Sequence, residues 1–238
     1  ENLYKCIRQT ALSDPYKAAD ETYYKILVPE KNSKGKGVRK GYLWVVVGIN
    51  TRMIYLLYDD GSRSEKVILN ELGGCKGIIQ SDGYSPYRKL ESDAYPHITR
   101  IPCLQHIKRK FIDCGEDEPD AKRIVELINT LYQNEHKHKI GVDGWTVEQN
   151  LVHRKKYAPD ILGEIKDVLD DIEERGDLLP KSELKEAVTY LRNEWNAVVD
   201  IFNYGDTYLD NNIVERMNRY ISLSRKNSLF FGSHKGAE

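Results

Sequence analysis

Hydrophobic and polar residues follow two different periods along the chain. In the first half, short segments rich in aromatic and β-branched residues, which favour strands, are separated by turn residues. These segments predict strands at 22–28, 41–49, 53–59, 77–82 and 97–103. Apolar residues at helical spacing predict helices at 64–72 and 104–114 between them. Three successive strands followed by alternating helix and strand predict an α/β fold built on a mixed five-stranded sheet.

From about residue 115 onward, the apolar residues recur at the helical period of 3.6. We therefore predict an all-helical insertion at 113–204, which divides the α/β domain into a first part at 1–112 and a last part at 205–238. The stripes that carry this prediction are Ala121, Ile124, Val125, Ile128, Leu131 and Tyr132; Ile161, Ile165, Val168, Leu169 and Ile172; and Leu184, Ala187, Val188, Leu191, Trp195, Val198, Val199 and Phe202.

A last amphipathic helix is predicted at about 208–224, after the insertion. Its polar face is crowded with hydrogen-bonding groups around Glu215, and its apolar face would be buried. The residues assigned to that apolar face are Leu209, Ile213, Met217, Tyr220 and Ile221.

The net charge of −1 conceals an uneven distribution. Residues 113–186 contain 19 acidic and 11 basic side chains, so the rest of the chain is positive. Much of this excess lies in three segments, 31–40, 106–111 and 215–227. Clusters of Lys and Arg suit contact with phosphates, although a solvated surface is an equal alternative for each segment by itself.

Cysteine usage and hydropathy narrow the class of protein further. The four cysteines contain no CxxC pair, which argues against a disulfide framework or a zinc cluster. No apolar run reaches the length of a membrane helix, and residues 1–20 lack the pattern of a signal peptide. We expect a cytoplasmic protein without a membrane partner.

Three acidic residues occupy positions that one sheet can bring together. Asp82 follows the apolar segment "GIIQS", where an Asp-Gly pair commonly forms a simple turn. Asp20, in "AADETYYKILV", stands at the head of the first predicted strand, and Glu215 lies on the last helix. We leave Glu21 out of this set, because consecutive strand residues point to opposite faces.

Carboxylates grouped in this way suit hard divalent cations such as magnesium, which prefer oxygen ligands. Two such ions can activate the attacking oxygen and stabilise the leaving oxygen in phosphodiester chemistry. Three acids alone are weak evidence in a chain that contains 37 acidic residues.

Longer stretches of sequence around these acids carry a more specific signal. The stretches are "ADET", "QSDGYSPYRKL", "CLQHIKRKF", "DNNIVERMNR" and "SRKNSLFFGSHKGAE". In wording and order they resemble the insertion-sequence 66 family of bacterial DDE transposases. The resemblance implies a ribonuclease H-like fold with a large helical insertion before the last catalytic helix. It also implies that Asp20, Asp82 and Glu215 form a catalytic triad that binds two divalent ions, Mg²⁺ or Mn²⁺.

The resemblance further implies a function on double-stranded DNA, with transposon ends and target DNA as partners. We expect a catalytic core that cleaves DNA strands and joins the freed 3′ hydroxyl to target DNA, as a homo-oligomer on the DNA and therefore at the nucleoid when bound. Members of the family carry further sequence on both sides of this region. Two alternatives stay open: a related metal-dependent nuclease that does not join strands, and a non-catalytic DNA-binding remnant.

Candidate DNA contacts lie in two of the basic segments. Arg219, Arg225 and Lys226 follow Glu215 on the last helix and could hold phosphates, with a solvated face as the alternative. His106 and Arg109 lie on the helix at 104–114. Cys103 and His106 make only half of a zinc site, so packing or DNA contact is the favoured role for His106.

Overall fold

The computed structural model of the chain describes residues 2–30, 35, 37–176, 178–228 and 230–237. The chain forms two compact units, one of Glu1–Arg100 with Asn211–Glu238 and one of Ile101–Asp210. This division differs from the domain boundaries predicted from the sequence, at 112 and 204, which remain a prediction. Of the basic segment at 31–40, residues 31–34 and 36 lie outside the described residues.

The predicted five-stranded sheet is present, and its order is β3-β2-β1-β4-β5. β2 is antiparallel to both β1 and β3, whereas β4 is parallel to β1, so the sheet is mixed, as predicted. The strands are β1 (Tyr16–Leu27), β2 (Val38–Gly48), β3 (Ile54–Tyr58), β4 (Gly77–Ser81) and β5 (Ile98–Pro102).

Eight α-helices occur among the described residues. They are α1 (Asn2–Ser13), α2 (Glu65–Leu72), α3 (Ser85–Arg88), α4 (Leu104–Asp113), α5 (Pro119–Glu135), α6 (Val147–Arg175), α7 (Glu183–Ile201) and α8 (Asn212–Asn227).

The first strand is longer than its apolar pattern predicts. β1 begins at Tyr16 rather than at residue 22, so Asp20 lies in the middle of the strand and not at its head. The pattern failed because the added segment contains Lys17, a polar residue that is fully buried. Its Nζ donates hydrogen bonds to the carbonyl of Asp14 and, at 2.8 Å, to that of Lys76. Paired in this way, a buried lysine is compatible with a central strand.

The two faces of the sheet are covered by different elements. One face holds an apolar core of Trp44, Val46, Ile68 and Tyr87, to which α2 and α3 contribute. On the other face α8 reaches β1, because Asn218 of α8 hydrogen-bonds to Asp20. Of the buried apolar face predicted for the last helix, Leu209 is buried just before α8, whereas Ile213, Met217 and Ile221 are only partly buried. The prediction is wrong at Tyr220, which is 68% exposed.

In the second unit, all regular structure of the described residues between 113 and 204 is helical. α6 begins with a capping box between Thr146 and Gln149 and ends at Arg175, with Gly176 as its C-cap, whose φ of 65° suits glycine. Most residues of the predicted stripes are buried, whereas Val199 is 37% exposed, so its assignment to the core is wrong. No described helix has the length and apolar character needed to cross a membrane.

Candidate active site

Asp20 and Asp82 come together through the pairing of β1 with β4. In this parallel pair, Tyr16 is opposite Ile78 and Ala18 is opposite Gln80. If this register is continued by two residues, Asp20 lies opposite Asp82. Neighbouring strands of a sheet are about 4.8 Å apart. Asp82 is the first residue after β4, so its chain is already leaving the sheet.

The turn expected of an Asp-Gly pair also fixes the Asp82 carboxylate. Its Oδ1 accepts a hydrogen bond from the backbone N–H of Tyr84 at 3.0 Å. Its backbone carbonyl accepts a hydrogen bond from the buried Arg100 at 3.2 Å. Asp82 therefore serves the turn through one of its two carboxylate oxygens.

Glu215 reaches the same place on the first turns of α8. Asn211, just before the helix, donates a hydrogen bond to the carbonyl of Ala19 at 3.2 Å. Asn218, about two turns further along, donates from Nδ2 to Oδ2 of Asp20 at 2.6 Å. These two contacts hold the segment that carries Glu215 against the middle of β1.

The electrostatics of Asp20 report on these neighbours. Burial raises the pKa of Asp20 to about 8, and the negative charges of Glu21, Asp82 and Glu215 act in the same direction. The hydrogen bond from the backbone N–H of Glu21, at 2.8 Å, opposes this effect. The structure thus brings the three predicted acids together, and we call Asp20, Glu21, Asp82 and Glu215 the acid cluster.

Glu21 joins this cluster through its charge, although its carboxylate lies on the opposite face of the strand, as strand alternation predicts, where the hydroxyl of Tyr87 donates a hydrogen bond to Oε2 at 3.4 Å. Burial raises the pKa of Glu21, and the negative charge of Asp82 adds to the effect. Glu21 is paired with Arg63, whose Nη2 and Nε lie 2.5 and 3.0 Å from Oε1. The Arg63 guanidinium stands 4.2 Å from the centre of the Tyr84 ring, a cation–π contact.

The other three acids lack such compensation. Within the described part of the chain, Asp20, Asp82 and Glu215 make no ion pair with a basic side chain. Oε1 of Glu215 and Oδ1 of Asn218 are buried without a hydrogen-bond partner. Buried acceptors of this kind, grouped with like charges, call for a positive partner. The donor set is composed of oxygen atoms and therefore fits a hard divalent cation.

The predicted DNA-contacting residues have different environments. Arg219 and Lys226 are exposed on α8. Arg225 is partly buried and engaged within the protein, because it donates to the carbonyl of Tyr23 at 2.7 Å and to Oγ of Ser222 at 2.6 Å.

His106 and Arg109 lie on α4, in the second unit. Arg109 is exposed, whereas Nδ1 of the partly buried His106 has no hydrogen-bond partner.

The whole chain, residues 1–238, matches the family model described as Transposase IS66 family. The chain belongs to this family. The predicted resemblance to insertion-sequence 66 transposases is therefore confirmed at the level of the family.

The chain is similar to two proteins of Sinorhizobium fredii (strain NBRC 101917 / NGR234). Uncharacterized protein y4jD is 30% identical over 184 residues, which cover 74% of this chain and 35% of the relative. Uncharacterized protein y4qI is 29% identical over 233 residues, which cover 92% of this chain and 41% of the relative. The chain therefore spans about two fifths or less of the length of these relatives.

Proposed function

We propose that this chain is the catalytic core of a DNA transposase that cleaves DNA strands and joins a freed 3′ hydroxyl to target DNA. The observation that carries the proposal is the convergence of Asp20, Asp82 and Glu215 in a family of transposases, with buried acceptor oxygens beside them. Arg219 and Lys226 are exposed on the helix that supplies Glu215, which suits contact with the phosphates of double-stranded DNA.

The sheet supports a ribonuclease H-like assignment of the fold. Three antiparallel strands are followed by a parallel strand on the far side of β1, in the order β3-β2-β1-β4-β5. The acids come from the middle of the first strand, the end of the fourth and a late helix, which is the arrangement that the family resemblance implies. Helices α5, α6 and α7 stand before that late helix in the chain.

In this proposal, Asp20, Asp82 and Glu215 hold Mg²⁺ or Mn²⁺, with two ions at the site. Bound divalent ions supply activation of the attacking oxygen and stabilisation of the leaving oxygen. Asn218 orients the Asp20 carboxylate, and the turn at Tyr84 orients that of Asp82. Arg63 holds the Glu21 carboxylate, so this fourth acid is already paired with a cation.

The proposal is tested by strand cleavage with Asp82→Asn, which preserves the size of the side chain and removes its charge. The chain is incubated with labelled transposon-end DNA and Mg²⁺ or Mn²⁺. We expect Asp82→Asn to abolish metal-dependent cleavage and to leave most of the DNA affinity. The matched control is Asp93→Asn, which changes an exposed acid and should leave cleavage unchanged.

Cleavage by Asp82→Asn at the rate of the unchanged chain would contradict the role of Asp82. Cleavage without joined products would favour the nuclease alternative. DNA binding without cleavage by the unchanged protein would favour a non-catalytic remnant. Sedimentation of the protein with DNA tests the homo-oligomer that we propose for the complex.

A further inference from the structure

A cavity of about 570 Å³ lies in the first unit, and its lining is unusually rich in aromatic rings. α8, the three antiparallel strands and the segment after α8 contribute to it, with α1 at the edge. Its ring-bearing residues are Tyr4, Tyr24, Tyr58, Tyr220 and Phe231. We call it the aromatic cavity.

The aromatic cavity opens on the face of the sheet that carries Asp20. Tyr24 follows Asp20 by four residues on β1, and alternate residues of a strand share one face. Four residues of strand correspond to about 13 Å, or roughly four nucleotides at about 3.4 Å each along a DNA axis. The same helix, α8, supplies Asn218 to Asp20 and Tyr220 to the cavity. A DNA strand at the acid cluster therefore has this cavity within a few nucleotides.

The hydroxyl groups of the lining are largely engaged within the protein. Tyr24 donates to the carbonyl of Ser228, and Tyr4 donates to that of Leu56 at 2.9 Å. The hydroxyl of Tyr58 lies 2.6 Å from Nδ1 of His234. Rings and aliphatic side chains thus make up most of what the cavity offers to a ligand, which favours a flat group that can stack.

Tyr220 lines the cavity and is 68% exposed to solvent. Exposed cations surround it on the helix: Arg216 precedes it by one turn, and Arg219 is its neighbour in the sequence. A ligand with a flat ring and a negatively charged backbone matches both features.

We propose that the aromatic cavity receives one unstacked nucleobase of the DNA strand that lies at the acid cluster. This inference rests on the proposed function, because it takes the substrate to be DNA. Stacking on tyrosine rings accepts every base, since every base has an aromatic face. The cavity therefore recognises an extruded base without reading its identity, and the cations of α8 hold the neighbouring phosphates.

The test compares two single-stranded probes of about 12 nucleotides, which avoid the cost of opening a duplex. One is oligothymidylate, and the other has the same backbone with an abasic residue at every position. Affinities of the 238-residue chain are measured by fluorescence anisotropy in EDTA, so that no cleavage occurs. Variants are Tyr220→Ala, Tyr220→Phe, and Ser224→Trp, which fills the cavity from its lining. Leu223→Ala changes a 54% exposed apolar residue of the same helix and serves as the matched control.

We expect Tyr220→Ala and Ser224→Trp to weaken binding of oligothymidylate about five- to fiftyfold, with the abasic probe changed less than about twofold. Tyr220→Phe and Leu223→Ala should bind both probes as the unchanged chain does. If both probes bind and none of these variants alters the preference for bases, the cavity proposal is overturned while DNA binding stands. If neither probe binds to the unchanged chain, the cavity proposal is overturned, and binding of duplex transposon-end DNA then decides separately whether the DNA-binding part of the proposed function stands. Dissociation of a dimer by Tyr220→Ala, with base preference unchanged, would instead assign this surface to a second copy of the chain.

Discussion

Each of the two units buries a cluster of charged side chains, and the two clusters are compensated in opposite ways. In the second unit, Arg154 is fully buried and paired with Glu135, with Nε 3.0 Å from Oε2. Its guanidinium also donates to the carbonyls of Tyr204 and Thr207, each at 2.5 Å. Burial acts to raise the pKa of Glu135, but the hydrogen bonds and charge of Arg154 lower it below its usual value. We call this group the arginine cluster.

The acid cluster of the first unit has the reverse character. Burial raises the pKa of Asp20 to about 8, with further contributions from neighbouring negative charges. Glu215 retains a buried oxygen without a hydrogen-bond partner. The buried charges of the arginine cluster are paired with each other. The acids to which we assign metal binding, Asp20, Asp82 and Glu215, are not paired with a basic side chain among the described residues. Such a contrast within one chain distinguishes a structural cluster from a candidate site.

The largest effect on stability is expected from Arg154→Met, which leaves the buried carboxylate of Glu135 without its partner. Removal of one member of a buried ion pair costs about 3–5 kcal/mol. Urea unfolding followed by circular dichroism measures this loss. Arg123→Met is the control, because Arg123 and its partner Glu164 are about half exposed and such pairs contribute at most about 1 kcal/mol. Equal effects of the two substitutions would remove the contrast between buried and exposed pairs.

A divalent metal ion should stabilise the folded chain by binding to the acid cluster. It should not bind to the arginine cluster, whose carboxylate is already paired. At a metal concentration about a hundredfold above its dissociation constant, the expected gain is about 2.7 kcal/mol. Thermal unfolding with and without Mn²⁺ measures the gain, which should disappear in Asp82→Asn and persist in Glu135→Gln. A gain that survives in Asp82→Asn would locate the metal elsewhere.

Neutralising one acid in each cluster should change stability in opposite directions. Because the pKa of Asp20 is raised to about 8 in the folded chain, ionisation of Asp20 opposes folding, and stability falls as pH rises from about 4 through 8. Asp20→Asn should therefore raise the metal-free stability by about 1–2 kcal/mol near pH 9 and have little effect near pH 4.

The pKa of Glu135 is lowered, so its contribution is present above its unfolded value and lost on acidification. Glu135→Gln should consequently destabilise the chain at neutral pH. Urea unfolding across this pH range measures both variants, and changes of the same sign would contradict the comparison.

The smallest effect is expected for Arg63→Gln, which removes the cation that is paired with Glu21. Arg63 is 42% exposed, so solvent screening limits its contribution to about 1 kcal/mol. Lys89→Gln is the control, because Lys89 and its partner Glu65 are both 50% exposed, and we expect a smaller change. If Lys89→Gln costs as much as Arg63→Gln, Arg63 contributes no more than an ordinary surface pair.

The sequence predicted the parts of the fold that follow apolar periodicity. All five strands are present, because their central residues alternate or form apolar runs. The first half of β1 was missed, since Lys17, Asp20 and Glu21 are polar residues in a strand. Their burial depends on partners that periodicity does not report, such as the carbonyls that bind Lys17. α1 was also missed.

The candidate site was predictable where its residues stand in distinctive stretches of sequence. Asp20, Asp82 and Glu215 are the acids that the structure brings together, while their catalytic role stays a prediction. Asn218 lies on the polar helix face that was predicted around Glu215, but its bond to Asp20 joins residues 198 positions apart. The pairing of Glu21 with Arg63 was likewise hidden, because it depends on the course of the chain after β3. Contacts of this range need a three-dimensional arrangement to become visible.

The long reach of the Asn218–Asp20 contact has a consequence for synthesis of the protein. The ribosome must add 198 residues after Asp20 before Asn218 exists. At about 5–20 residues per second, this delay is roughly 10–40 s. Throughout that interval, the nascent chain has Asp20, and later Asp82, without the helix that supplies Glu215. Because α8 is encoded late in the sequence, the proposed site is complete only near the end of synthesis. A nascent chain that lacks α8 therefore lacks Glu215 and, in our proposal, cannot cleave DNA.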